Sequence, residues 1–134
     1  MLSKRLEQVA SMVTKGNIIA DIGTDHGYVP IYLVEKGICP KAYAMDINQG
    51  PIESAIKNIE NYGLSEKIQA IKSNGLEKLE PEKADTIIIA GMGGELIVNI
   101  LENGLAKLEN CSRPVKELVL SPHKRGDLVR KYLE

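Results

Sequence analysis

The chain has 134 residues with 43% hydrophobic and 26% charged side chains and a formal net charge of -1. That length gives one domain, and no apolar run approaches the roughly 18 residues that would span a bilayer. The opening stretch MLSKRLEQVASMV interleaves charges with apolar residues and lacks the unbroken apolar core of a signal peptide, so a cytoplasmic protein is expected.

In chain order, Leu2, Leu6, Val9, Ala10 and Val13 make one face of a leading helix. The first strand is expected over Asn17 to Ile22 and runs into the turn ADIGTDHGY, residues 20 to 28. A second strand, Ala42 to Ile47, precedes a helix with Pro51 in its first turn, an apolar face of Ile52, Ala55, Ile56 and Ile59, and Gly63 at its end. Ile68 to Lys72 is the third strand. The uninterrupted run in DTIIIAG suits a fourth strand buried on both faces, Asp85 to Ala90. A helix with Leu96, Ile97, Ile100 and Leu101 follows, and Gly104 is expected to stop it. Leu118 to Leu120 is the fifth strand, and GDLVRKYLE closes the sequence as a helix. Strands alternating with helices predict right-handed βαβ units and a mostly parallel sheet with helices on both faces, a three-layer α/β/α Rossmann-like fold. Residues 1 to 134 read as a single domain, truncated after strand five where a further strand is normal. Cys39 and Cys111 stand far apart outside any CxxC spacing and read as free thiols, not as a disulfide or metal site.

Ligands of open parallel sheets sit beyond the carboxyl ends of the strands where the winding reverses. Asp21, Gly23, Asp25, His26 and Gly27 fall there. A dinucleotide fold places a GxGxxG turn at this point so that bare backbone approaches a pyrophosphate. Two aspartates in the turn would repel such a ligand and favour one with a positive centre. S-adenosyl-L-methionine meets that condition, carrying a sulfonium, an ammonium and no phosphate. Asp46, closing the second strand with Ile47 beside it, stands where ribose-binding acids are found. Asn74 and Gly75 follow the third strand, in position to meet an adenine ring. Gly91, Met92, Gly93 and Gly94 follow the fourth, where glycines either admit a ligand or allow a tight start to the next helix. His123, after the fifth strand, faces the same rim as a substrate contact or as a plain loop residue.

Together the strings LSKRL, ADIGTDHGYVP, GPIESA, NGLE and above all IAGMGGELI resemble the TrmK family of bacterial tRNA (adenine-N1)-methyltransferases, across the whole chain. The resemblance implies a class I methyltransferase fold, S-adenosyl-L-methionine as methyl donor, tRNA as partner and an adenosine at tRNA position 22, in the D-loop, as target. It also implies a helical C-terminal domain beyond the residues given. It places Asp25 beside donor and target base, where a carboxylate would stabilise the cationic ring that forms when adenine N1 takes the methyl; the competing role for Asp25 is to cap the helix beginning near Tyr28. No (D/N)PP(Y/F) string of exocyclic-amine methyltransferases follows strand four, consistent with a ring-nitrogen target. Tyr28 is the nearest aromatic surface for an unstacked base, with Gly93, Gly94 and His123 as further substrate contacts. Residues 111 to 134 carry six Lys or Arg against three acids and form the basic segment available to tRNA, from Arg113 to Lys131. A non-catalytic S-adenosylmethionine- or tRNA-binding module, a methyltransferase with another substrate and an NAD-dependent dehydrogenase are the alternatives, the last disfavoured by the acidic turn.

Overall fold

A computed structural model describes residues 2–134. Five parallel strands, β1 (Ile19–Ile22), β2 (Ala42–Asp46), β3 (Ile68–Lys72), β4 (Thr86–Ala90) and β5 (Glu117–Ser121), form one sheet in the order β3-β2-β1-β4-β5. The chain winds outward from β1 through β2 to β3, then crosses back to lay β4 on the other side of β1. The reversal therefore lies between β1 and β4, and the turns after these two strands flank it.

Helices α1 (Lys4–Ser11), α2 (Tyr28–Glu35), α3 (Gln49–Asn61), α4 (Gly94–Glu109) and α5 (Gly126–Leu133) cover both faces. Alternation along the strands divides the apolar side chains between two cores. Ile19, Ala42, Ala44, Ile88 and Val119 pack with Val9 and Val13 of the leading segment and with Val29, Ala55 and Ile59 on one face. Ala20, Met45, Ile87 and Ile89 pack with Ile97, Leu101, Leu108 and Val129 on the other. The expected three layers are present, and the IIIA run is buried throughout its three isoleucines.

Local signals explain most boundaries. The Ser3 hydroxyl accepts a hydrogen bond from the Leu6 N–H at 3.3 Å and caps α1. Pro51 sits in the first turn of α3, and Gly63, with φ 68°, follows its C-cap Tyr62. Gly104 departs from expectation: α4 runs through it to Glu109. A Cβ at this position would lie 2.6 Å from the Cβ of Leu76, so glycine here serves helix-to-loop contact and not termination.

The amino ends of the strands hold a separate polar cluster. Asp85 is buried, accepts the Ile18 N–H at 2.8 Å and receives the Arg113 guanidinium at 2.8 and 2.9 Å, with Lys116 Nζ at 3.9 Å. Among the described residues no helix is long and apolar enough to cross a membrane.

Candidate active site

The turn after β1 is held by its neighbours. Asp21 is 5% exposed and accepts a hydrogen bond from the Thr24 hydroxyl at 2.9 Å. Its burial pushes its pKa up to about 7, with the nearby Asp46 carboxylate adding to the rise and the Thr24 bond opposing it. Asp46, 8% exposed at the end of β2, accepts the Asp25 N–H at 3.1 Å on one carboxylate oxygen and the Asn48 N–H at 3.0 Å on the other. Each oxygen keeps accepting capacity beyond a single bond.

Asp25 takes a left-handed conformation, φ 61°, and its side chain is 71% exposed. Aspartate tolerates this region better than most residues. The N-cap of α2 is Gly27, with no side-chain capping bond, so Asp25 does not cap that helix. Next to it, His26 is anchored on α3: Nδ1 lies 2.7 Å from the Ser54 hydroxyl in a hydrogen bond, and the Asn58 amide donates to the His26 carbonyl at 2.9 Å. The remaining ring nitrogen, Nε2, is 3.7 Å from Asp25 Oδ1. Tyr28, 42% exposed, stands with its ring centroid 5.2 Å from that of His26 at a tilt of 35°.

These groups line a cleft of about 640 Å3 over the carboxyl ends of β2, β1 and β4, within the size range of small-molecule sites. Of the residues expected from sequence, Asp21, Gly23, Asp25, His26, Tyr28, Asp46, Ile47, Gly91 and Met92 all border it. Gly23, φ 76°, makes room for the Met92 methyl, which would be 2.3 Å from a Cβ there.

Others lie elsewhere. Gly27 packs against α3, where a Cβ would meet that of Ala55 at 3.2 Å, and its part is to bring two helices together. Asn74 and Gly75 border a separate polar groove of about 310 Å3 with Asn99, Asn103 and Lys107. The buried Ser73 hydroxyl donates to the Gly75 carbonyl at 2.9 Å and accepts the Lys78 N–H at 3.1 Å, which folds this turn on itself. Gly93, Gly94 and His123 line a third groove, of about 750 Å3, with Lys124 and Arg125; Leu96 is shared between it and the cleft. Gly94 is needed for close packing, since a Cβ would fall 1.9 Å from the Arg125 carbonyl oxygen, and its N–H donates to the Lys124 carbonyl at 2.8 Å. Within the glycine string Gly91 takes a positive φ of 79° and Gly94 gives the tight start to α4.

The basic segment is divided as well. Arg113 and Lys116 are committed to Asp85 at the amino ends of the strands, away from the cleft. Arg125 reaches Asp127 at 3.1 Å and Glu95 at 3.9 Å. Sequence reasoning passed over the contributions of Ser3, Arg5 and Leu6 from the leading segment, which border the cleft beside Gly91. The LSKRL string was the available signal for them. Burial raises the Cys39 thiol to about 11, with Glu117 adding to the rise, which leaves it unreactive. No group of three or more His, Cys, Asp or Glu among the described residues is placed to hold a metal ion.

A parallel sheet in this order with helices on both faces is a Rossmann-like α/β domain, whose ligand position is the reversal beside β1. The chain belongs to the methyltransferase domain family, whose model matches residues 2–134. It is 42% identical over 132 residues to the tRNA (adenine(22)-N(1))-methyltransferase of Bacillus subtilis, an alignment covering 98% of this chain and 54% of that protein. A Streptococcus pneumoniae protein solved with S-adenosyl-L-methionine superposes with a TM-score of 0.93 at 50% identity, covering 99% of this chain and 61% of the other. The TrmK of M. capricolum, solved with S-adenosyl-homocysteine, is 48% identical with a TM-score of 0.73 over 77% of this chain and 47% of its own. The chain spans about half the length of the curated Bacillus relative.

Proposed function

We propose that this domain binds S-adenosyl-L-methionine and serves the methylation of adenine N1 at position 22, in the D-loop of a tRNA. The observation that carries the reading is the cleft itself: Asp21, Asp25 and Asp46 converge on the turn where a dinucleotide fold would cradle a pyrophosphate. The similarity to a tRNA (adenine(22)-N(1))-methyltransferase over nearly the whole chain supports the substrate, and a cytoplasmic location accords with it.

The chain's residues divide the work. Asp46 accepts from the ribose hydroxyls on oxygens already oriented by two backbone N–H groups. Asp21, at the floor of the cleft, is an acid whose ionisation a cationic ligand favours, and Met92 closes the wall by Gly23. When bound, S-adenosylmethionine supplies an electrophilic methyl group on a sulfonium. Asp25, at the cleft mouth, is positioned to accept a hydrogen bond from the exocyclic amine of adenine and to stabilise positive charge growing on the ring. The His26 anchor on Ser54 restrains the turn that carries it. Tyr28 offers a face on which an unstacked base can rest. The groove of Gly93, Gly94 and His123 adjoins the cleft through Leu96 and provides the side from which nucleic acid approaches.

Calorimetry with S-adenosylmethionine and with NAD tests the cofactor, and mass spectrometry of tRNA incubated with the protein and cofactor tests the product. Methylated adenine at position 22 is the expected result. Binding of NAD in preference to S-adenosylmethionine would overturn the reading.

A further inference from the structure

We propose that Leu96 is a wedge that parts the RNA bases stacked beside the target and fills the space the adenine leaves when it turns into the cleft. The inference rests on the reading of this chain as a tRNA-methylating domain and adds to it a positioning residue that brings the base out of its stack.

Location makes the first part of the case. Among the described residues, Leu96 alone borders both the cleft and the groove of Gly93, Gly94, Glu95, His123, Lys124 and Arg125. It stands on the ridge between them, so a strand seated in the groove passes Leu96 on the way to presenting a base to Asp25 and Tyr28. Its side chain is apolar and the residue is 50% exposed. The other large exposed apolar residues of the cleft border, Ile47 after β2 and Tyr28 at the start of α2, do not reach the groove. A single exposed leucine is ordinary on a protein surface; one that divides an acidic cleft from a groove carrying Lys124 and Arg125 is placed at the point where a nucleotide must leave its strand.

Rigidity supplies the second part, because a wedge has to hold its place against a base stack. Leu96 lies in the first turn of α4, where its N–H donates to the Gly93 carbonyl at 3.1 Å, and its neighbour Ile97 is fully buried in the core. The Gly94 N–H on the Lys124 carbonyl at 2.8 Å and the His123 N–H on the Met92 carbonyl at 3.0 Å tie this turn to the loop after β5. The backbone under Leu96 is thus braced from two sides while its side chain faces outward. Leucine has no polar atom to pair with a base edge, so what it offers a nucleic acid is bulk and apolar surface, the property by which inserted side chains part base steps. Turning a base out of its strand forfeits its stacking, and an apolar side chain entering the gap recovers part of that loss.

The test compares the wild-type chain with Leu96→Ala and Leu96→Met, at low salt with saturating protein and S-adenosylmethionine, on an intact tRNA and on the same tRNA with abasic residues on both sides of the target adenosine. The abasic residues leave the target no stack to part. Single-turnover methylation of the intact tRNA is expected to slow by about 10- to 30-fold in Leu96→Ala, while the rate on the abasic-flanked tRNA changes by no more than about threefold. Leu96→Met keeps an apolar side chain of similar volume and should retain most of the wild-type rate. With 2-aminopurine in place of the target base, the fluorescence rise that reports unstacking should appear with the wild type and Leu96→Met and be largely lost with Leu96→Ala. Calorimetric affinity for S-adenosylmethionine within about twofold of the wild type shows that each variant is folded. Equal slowing on the two RNAs would make Leu96 a packing surface for the base or the cofactor and overturn the proposal. So would an unchanged rate of Leu96→Ala on the intact tRNA, or a wild type active on the intact tRNA and inactive on the abasic-flanked one, since a wedge has no need of the bases it parts. A wild type that methylates neither RNA would instead remove the functional reading on which the proposal stands.

Discussion

Asp25 combines a positive φ on a side chain with a Cβ and an exposed carboxylate in a cleft that two other carboxylates also border. Its backbone N–H is engaged with Asp46, but its carboxylate is free for a ligand. Replacement by asparagine keeps the shape, the tolerance of the left-handed region and the N–H bond, and removes only the charge. Asp25→Asn is therefore expected to slow single-turnover methylation by about 10- to 100-fold while cofactor affinity changes little, because the lost interaction belongs to charge that develops in the transition state. A wild-type rate with saturating cofactor would return Asp25 to a turn-forming role. Asp21 makes a different prediction. Its folded pKa, about 7, stands above the ordinary carboxylate value because burial disfavours the charged form. The stability associated with its retained proton is full below about pH 4 and is lost as pH rises through 7. Asp21→Asn keeps the contact with Thr24 and removes the ionisation, so it should raise the stability of the ligand-free chain at pH 8 by on the order of 2 kcal/mol and leave it nearly unchanged near pH 4. Thermal melts at both pH values decide this; equal stabilisation at the two would mean that ionisation is not the cause.

At the scale of elements, Gly104 shows what a local pattern can and cannot convey. Within an exposed helix, glycine to alanine is ordinarily favourable by about 1 kcal/mol. Here the new methyl carbon would be driven to 2.6 Å from Leu76 Cβ, an atom close to the backbone with little freedom to retreat. Gly104→Ala is thus expected to destabilise the chain by about 1–3 kcal/mol despite the better helix propensity, lowering the melting temperature by several degrees. A rise in melting temperature would show that Leu76 moves aside easily. The same distinction governs what was legible beforehand. The apolar runs of β1, β2 and β4 declare themselves because burial on both faces demands continuous apolar sequence, and Pro51 and Gly63 bracket α3 by their own dihedral limits. The stop expected at Gly104 failed because that glycine answers to Leu76, a residue on another element. Gly27 and Gly94 likewise answer to residues on other elements, their neighbours being Ala55 and the Arg125 carbonyl. For the cleft, that Asp21, Asp25 and Asp46 border one cavity was legible because topology alone brings strand ends together. That Asn74 and His123 border other grooves was not, since it depends on contacts such as the Ser73 hydroxyl folding its own turn and Gly94 packing on the Arg125 carbonyl.

For the molecule as a whole, the cleft and the proposed nucleic-acid surface make unequal demands. Every residue bordering the cleft lies between Ser3 and Leu96 and is carried by elements that share the two cores. Affinity for tRNA rests largely on Lys and Arg that neutralise phosphates, and the chain's net charge is -1. The basic segment is weaker than its count of side chains suggests: Arg113 and Lys116 serve Asp85 at the opposite end of the sheet, and Arg125 is shared with Asp127 and Glu95. In the groove next to the cleft, which Glu95 also lines, this leaves Lys124 without an ion pair among the described residues and Arg125 partly neutralised. The 134-residue chain is accordingly expected to bind S-adenosylmethionine yet hold tRNA weakly, with a slope of log affinity against log salt of only about -1 to -2, as one or two neutralised phosphates would give. Filter binding to tRNA at several salt concentrations measures the slope, and Lys124→Ala should flatten it by roughly one more. A slope of about -4 or steeper would mean that α5, through Arg130 and Lys131, joins the rim in a continuous phosphate-binding surface, and that the charges paired in the free chain exchange their acidic partners for the nucleic acid on binding.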